Sequence, residues 1–344
     1  MSYEKVAEVI LKKYFHIKQG ERLFVITDTA RGFTGKVSHS VFDCANSENI
    51  DSELIRQRAI DSGPCDEKVK KVFEELKKGD CVFICLNHKL GSLYPFFEKG
   101  LRSFIRQKGA RFASMTGLLS LKKEREHDLV NMLLFDTEQM RKAGNALKEL
   151  LSSGNDFEIK GIGGTKISCS ISNRRAWFNS GKFDKPGTGG NLPAGDVMIF
   201  PVEDSVNGKA VIDISVKIGP ETVGTKKIVM KIENGVIKDI SGDSDIVEKM
   251  QEDLDHFAMI NERSGMKPDA IRTIAEFGIG LVPGRTIGIN ITDEKLLGVA
   301  HVANGNNFGR GGRNKCRGHR EHLFWLEWFR IDDKKVTPKA IYNL

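Results

Sequence analysis

Residues 137–156, T-E-Q-M-R-K-A-G-N-A-L-K-E-L-L-S-S-G-N-D, divide the chain into two regimes. Met140, Ala143, Leu147 and Leu151 recur at three- and four-residue steps, so 137–152 is expected to be an amphipathic helix. S-S-G-N-D then supplies the breakers that end it. Upstream, short apolar runs alternate with helical segments. Helices are expected at 3–14, 33–46, 66–78 and 93–107, and strands at 22–27, 50–56, 81–86 and 110–115. That alternation predicts a parallel sheet. Downstream the period shortens. D-F-E-I-K-G, K-I-S-C-S-I, R-A-W-F-N, D-V-M-I-F-P and K-A-V-I-D-I-S read as strands, and N-G in E-N-G-V-I marks a hairpin. One helix is expected at 243–258. L-F-W-L-E-W-F-R-I-D-D-K-K-V and K-A-I-Y-N close the chain as strands. The fold class is therefore α/β, with an N-terminal parallel α/β domain (1–152) and a mostly antiparallel, β-rich metal-binding domain (153–344).

Length and charge exclude several functions. A chain of 344 residues buries a core without disulfides. Its 53 basic and 46 acidic residues leave a net charge of +7, too mild and too dispersed for a nucleic-acid partner. Cysteines 44, 65, 81, 85, 169 and 316 include no C-x-x-C pair and fit reduced thiols in a cytoplasm. No 18-residue apolar run exists, so no membrane partner is expected.

The chemistry concentrates near the C-terminus. Glu276, Glu294, His301, His319 and Glu321 fall within 46 residues, among glycines. Carboxylates and imidazoles are ligands for Zn, Mn, Co or Fe. Glu294 and His301 are seven apart, which a helix would place on one face. His319 and Glu321 are two apart, which a strand would point the same way. His322 would then face away and be structural. The basic run G-R-G-G-R-N-K-C-R-G-H-R reads either as a solvated loop or as a holder of a substrate carboxylate, with Arg310 or Arg313 as the fork. G-I-G-G-T (161–165) and K-P-G-T-G-G-N (185–191) lack P-loop spacing and read as turns, the second also as a backbone wall of the site. His16, His39, His88, His127 and His256 stand alone. Trp325 and Trp328 are expected to pack in the core or at a dimer interface.

Four ordered motifs carry a resemblance: G-G-N-L-P-A-G-D-V-M-I-F-P, A-E-F-G-I-G-L-V-P-G, D-E-K-L-L-G-V-A-H-V-A-N-G-N-N-F and G-G-R-N-K-C-R-G-H-R-E. Together they resemble the thermophilic metalloaminopeptidase family of aminopeptidases T and S. The resemblance implies a homodimer that holds two divalent ions (Zn, Co, Mn or Mg) and removes N-terminal residues from peptides. It implies metal ligands at Asp196, Glu276, His301, His319 and Glu321, and a proton carrier at Glu294. Two ions sharing a water would lower its pKa and supply the nucleophile. Three departures stand out. Phe308 replaces the family's metal-facing tyrosine, Asp196 replaces a glutamate while Glu321 replaces an aspartate, and the C-terminal motif is compressed, with only 17 residues between the two histidines. The second reading keeps one metal, with His301, His319 and Glu321 as the two-histidine, one-carboxylate set of a non-haem Fe(II) oxygenase. Ring-opening dihydroxypyridine dioxygenases resemble the same family. A third reading is a non-catalytic protein that binds a small molecule on this scaffold.

Overall fold

The computed structural model describes residues 2–29, 31–93, 100–225 and 227–344. They form two compact units, Met1–Thr137 with Asn179–Ala194, and Glu138–Phe178 with Gly195–Leu344.

The first unit is built on a five-stranded parallel sheet. Its order is Ser52–Arg56, Leu23–Thr27, Cys81–Cys85, Arg111–Met115, Gly189–Asn191. L-F-V-I-T and C-V-F-I-C are buried at every position, as central strands covered on both faces must be. Helices Tyr3–Val9, Gly32–Ser47, Glu67–Glu75 and Leu101–Lys108 alternate with these strands. Of the helix expected at 93–107, residues 94–99 lie outside the described residues. The helix Glu126–Leu134 was not foreseen, because E-H-D-L-V-N-M-L-L opens with charges that the sequence pattern assigns to solvent. The K-P-G-T-G-G-N segment corrects the turn reading: Gly189–Asn191 pairs in parallel with the Arg111–Met115 strand. A Cβ at Gly189 would lie 2.0 Å from the Phe112 ring, so only glycine lets the backbone approach that closely.

The second unit carries an extended antiparallel sheet, and the α/β fold class holds across both units. The central order is Asp156–Gly161, His319–Ile331, Val299–Gly305, Ile274–Gly280, Asp196–Ile199. The N-G hairpin is present, with Asn234 at φ 50° and Gly235 at φ 77°, the left-handed pair that a tight hairpin turn requires. Helices Thr137–Ser153 and Ser244–Arg263 fall where the periodicity placed them. One expectation is corrected. K-A-I-Y-N is not a strand; Pro338 opens a 3₁₀ turn, Pro338–Asn343, that buries Ile341. Trp325 is 38% exposed, so of the two places expected for it the core is not the one it takes. The core is aromatic: the Phe157 ring centroid lies 5.5 Å from that of Phe277 and 6.4 Å from that of Phe329. Among the described residues no helix is long and apolar enough to cross a membrane.

Candidate metal centre

Strand register assembles the site. Glu276, Ala303 and Glu321 are paired partners across three adjacent strands, as are Gly278, His301 and Leu323, while Gly305 pairs with His319. Gly280 pairs with Asp196 on a fourth strand. Because side chains alternate, residues 276, 278 and 280, 301, 303 and 305, and 319 and 321 point from one face of the sheet. Small residues stand between the ligating types. Ala303 lies between the two glutamates. A Cβ at Gly278 would sit 2.0 Å from His301 Cε1, and one at Gly280 would meet the Leu296 carbonyl at 2.3 Å. The glycines of E-F-G-I-G are thus the room that the His301 ring and the 294–296 backbone occupy.

Glu276, His319 and Glu321 each offer one ligand atom, and these atoms lie within 4.8 Å of one another. His319 Nε2 is 3.6 Å from both Glu276 Oε2 and Glu321 Oε1. Its other nitrogen, Nδ1, donates to the Asn306 carbonyl at 3.1 Å, which directs the Nε2 lone pair toward the carboxylates. His319 Nε2 is buried and has no hydrogen-bond partner among the described residues. An orphaned imidazole nitrogen facing two carboxylates fits a divalent cation. Glu276 is buried and tied on both oxygens, to His301 Nε2 at 3.1 Å and to Arg310 Nη1 at 3.2 Å. His319 and Glu321 keep side-chain exposures of 25% and 29%, so the cluster opens to solvent on their side.

The electrostatics follow from crowding in low dielectric. Burial disfavours the Glu276 carboxylate, but the His301 hydrogen bond and the charges of His319, His301 and Arg310 hold it below the usual range. Burial opposes the His301 imidazolium, yet Glu276, Glu294 and Glu321 lift it to about 9. His319 is raised in the same way by Glu321 and Glu276. Glu321 is held well below the carboxylate range, against burial, chiefly by His319. Glu294 is pushed well above it by burial and by the charge of Glu321. The crowded carboxylates thus favour positive charge at both histidines, the same preference that favours a bound cation.

The sequence-derived candidates therefore separate. Glu276, His319 and Glu321 come together. His301 contacts Glu276 but stands outside that triad. Asp196 is 2.9 Å from Lys295 Nζ, and the same ammonium pairs with Glu294. The helix that would have joined Glu294 to His301 is absent: Glu294 caps the short helix Asn290–Asp293, and His301 lies in the strand Val299–Gly305. Arg310 reaches the site, whereas Arg313 donates its backbone N–H to Glu203. The glycine-rich segment is not a free loop. Arg174 donates to the Gly311 carbonyl, and Asn314 Nδ2 donates to the carbonyls of Ala270 at 2.7 Å and Gly305 at 2.6 Å. Phe308 is 53% exposed beneath the Lys315 ammonium. His322 faces away, its Nε2 2.9 Å from Asn304 Oδ1. Sequence reasoning missed Lys295 and the Asn306 carbonyl. The only signal for the lysine was a lone charge in K-L-L-G-V-A, next to Glu294.

A family model, 2,5-dihydroxypyridine 5,6-dioxygenase (NicX), matches residues 47–320. No curated protein sequence matches the chain. The fold is similar to that of the 2,5-dihydroxypyridine dioxygenase from Pseudomonas putida KT2440, with a TM-score of 0.70 and 18% identity over 97% of this chain and 95% of that one. It is also similar to wild-type AmpT from Thermus thermophilus, with a TM-score of 0.66 and 14% identity over 97% and 96%. The aminopeptidase-like fold expected from the motifs is supported. The hydrolase expectation is corrected, because the family model is that of a dioxygenase. The zinc, cobalt and protease expectations conflict with it in the same way.

Proposed function

The chain belongs to the 2,5-dihydroxypyridine 5,6-dioxygenase family, and from that premise we propose that it is an Fe(II)-dependent dioxygenase that opens a dihydroxylated nitrogen heteroaromatic ring. The observation that carries this reading is the orphaned His319 Nε2 between Glu276 and Glu321. One histidine and two carboxylates would hold a single ion. The expected set of two histidines and one carboxylate becomes a set in which His301 supports Glu276 instead of binding metal. When bound, Fe(II) supplies the one-electron and O₂ chemistry that ring cleavage requires.

The chain's own groups do the rest. The Asn306 carbonyl fixes the His319 tautomer, and His301 and Arg310 fix the two oxygens of Glu276. Arg310 is 44% exposed and carries donors beyond the one given to Glu276, so it is placed to bind an ionised ring hydroxyl. Glu294, held by Lys295, is placed to accept the proton that such a hydroxyl loses.

The test is anaerobic loading with Fe(II), followed by oxygen uptake and loss of ring absorbance with 2,5-dihydroxypyridine. One O₂ consumed per ring opened supports the reading. A folded protein with one iron per chain that consumes no oxygen with dihydroxypyridines would overturn it.

A further inference from the structure

We propose that the Lys295 ammonium is a built-in cation standing where a second metal ion would bind, so that this site accepts one ion only. The inference rests on the reading of Glu276, His319 and Glu321 as holders of a single ion.

Lys295 is 2% exposed, and its Nζ bridges Asp196 Oδ1 and Glu294 Oε1. Both carboxylates are themselves buried, at 1% and 4% exposure. Two buried carboxylates converging on one point form a cation site by their chemistry, and here the cation is covalently attached. The position is fixed by the sheet. Asp196 pairs with Gly280, and the 294–296 backbone packs onto Gly280 so closely that a Cβ there would meet the Glu294 carbonyl at 2.7 Å. Leu281 N–H donates to the Lys295 carbonyl at 2.8 Å, and so does Val282 N–H at 2.7 Å, so the lysine backbone cannot swing away without breaking both bonds.

Charge agrees with this assignment. The site gathers four carboxylates, Asp196, Glu276, Glu294 and Glu321. Lys295 and Arg310 already place two fixed positive charges among them, one of them between the two carboxylates that a second ion would need. Burial ordinarily weakens an ammonium, but Asp196 and Glu294 keep Lys295 protonated across the working pH range. Glu294 Oε2, buried without a hydrogen-bond partner among the described residues, would complete the shell of an ion once the ammonium is removed.

The experiment counts ions. Wild type, Lys295→Ala and Lys295→Arg are equilibrated with Mn(II), and bound metal is measured by elemental analysis and electron paramagnetic resonance. The expected result is one more ion per chain in Lys295→Ala than in wild type, with a spin-coupled signal, and the wild-type count in Lys295→Arg. An unchanged count in a folded Lys295→Ala would overturn the proposal. So would a spin-coupled pair in the wild type, a measurement that does not depend on any variant folding; isolated Mn(II) in the wild type at saturating metal supports it. The wild-type count tests the triad and the increment tests the lysine. Wild type holding one ion but inert toward dihydroxypyridines would fail the dioxygenase reading and leave the lysine assignment standing.

Discussion

His319 and Asn306 are joined through Nδ1 and a backbone carbonyl at 3.1 Å, so the imidazole cannot turn its other nitrogen away from Glu276 and Glu321. A ligand and its support should behave differently when removed. His319→Ala is expected to lose bound metal entirely. His301→Ala should lower metal affinity by about 10–100-fold, the usual loss for a group that orients a ligand, and recover binding at saturating metal. Metal titrations of the two variants check this. Equal losses would place His301 among the ligands.

Gly278 is glycine because the His301 ring fills the space above it. Gly278→Ala would bring Cβ to 2.3 Å from His301 Nε2. The ring must move, and its bond to Glu276 moves with it. The expected cost is about 1–3 kcal/mol of stability, together with weakened metal binding, read from denaturant midpoints and metal titration. A variant as stable as wild type, with unchanged affinity, would show that His301 can repack freely.

Much of this was legible in the sequence. The alternation of apolar runs and helices gave the parallel sheet, and H-x-E predicted one strand face bearing His319 and Glu321 with His322 behind it. What stayed hidden depended on register. Nothing local in A-E-F-G-I-G or V-A-H-V-A says that Glu276 lies across Ala303 from Glu321, because strand pairing is long-range. The same reason hid the partition of the ligands. Asp196 was expected to bind metal like Glu276, and Glu294 to carry a proton, and nothing local shows that the fold brings Lys295 between the two. The chemistry was the least legible part. Four motifs resembling aminopeptidases pointed to a fold shared with an AmpT structure, while the family match is to a dioxygenase, so scaffold and reaction are separate inferences.

Arg310 lies on Glu276 Oε2 at 3.2 Å with nearly half of its side chain in solvent. A charge-assisted hydrogen bond to a substrate oxygen is worth about 1.5–3 kcal/mol. Arg310→Met is therefore expected to raise KM about 10–100-fold. Metal affinity should change less than KM, because the support lost at Glu276 Oε2 is offset by removal of a positive charge beside the ligand. Steady-state oxygen uptake and a metal titration on the same preparation separate the two effects. A fall in metal content with unchanged KM would instead make Arg310 a support for Glu276 alone.

Ala303 is the small residue between Glu276 and Glu321 in the strand pairing. A leucine side chain there would project from the ligand face into the space an ion needs. Ala303→Leu should keep the sheet, whose backbone bonds are unaffected, and lose metal to background. Circular dichroism with elemental analysis checks both halves. Metal retained at the wild-type level would place the ion elsewhere.

His322 sits on the opposite face, buried, with Nε2 on Asn304 Oδ1. Burial, and then the nearby Arg320 charge, press its pKa down to about 4 from 6.5. In the unfolded chain the imidazole takes up a proton below about 6.5, but in the folded protein it stays neutral until about 4. Between those values the unfolded state binds more protons, so stability falls as pH is lowered through this window and flattens below it. The difference corresponds to about 3 kcal/mol. His322→Gln removes the titrating group. Urea unfolding of metal-free protein at pH 7, 5.5 and 4 should show the wild type losing about that much more stability than the variant over the window. Parallel pH dependences would mean that the proton enters the folded His322 as readily as the unfolded one, and that its burial is not maintained in solution.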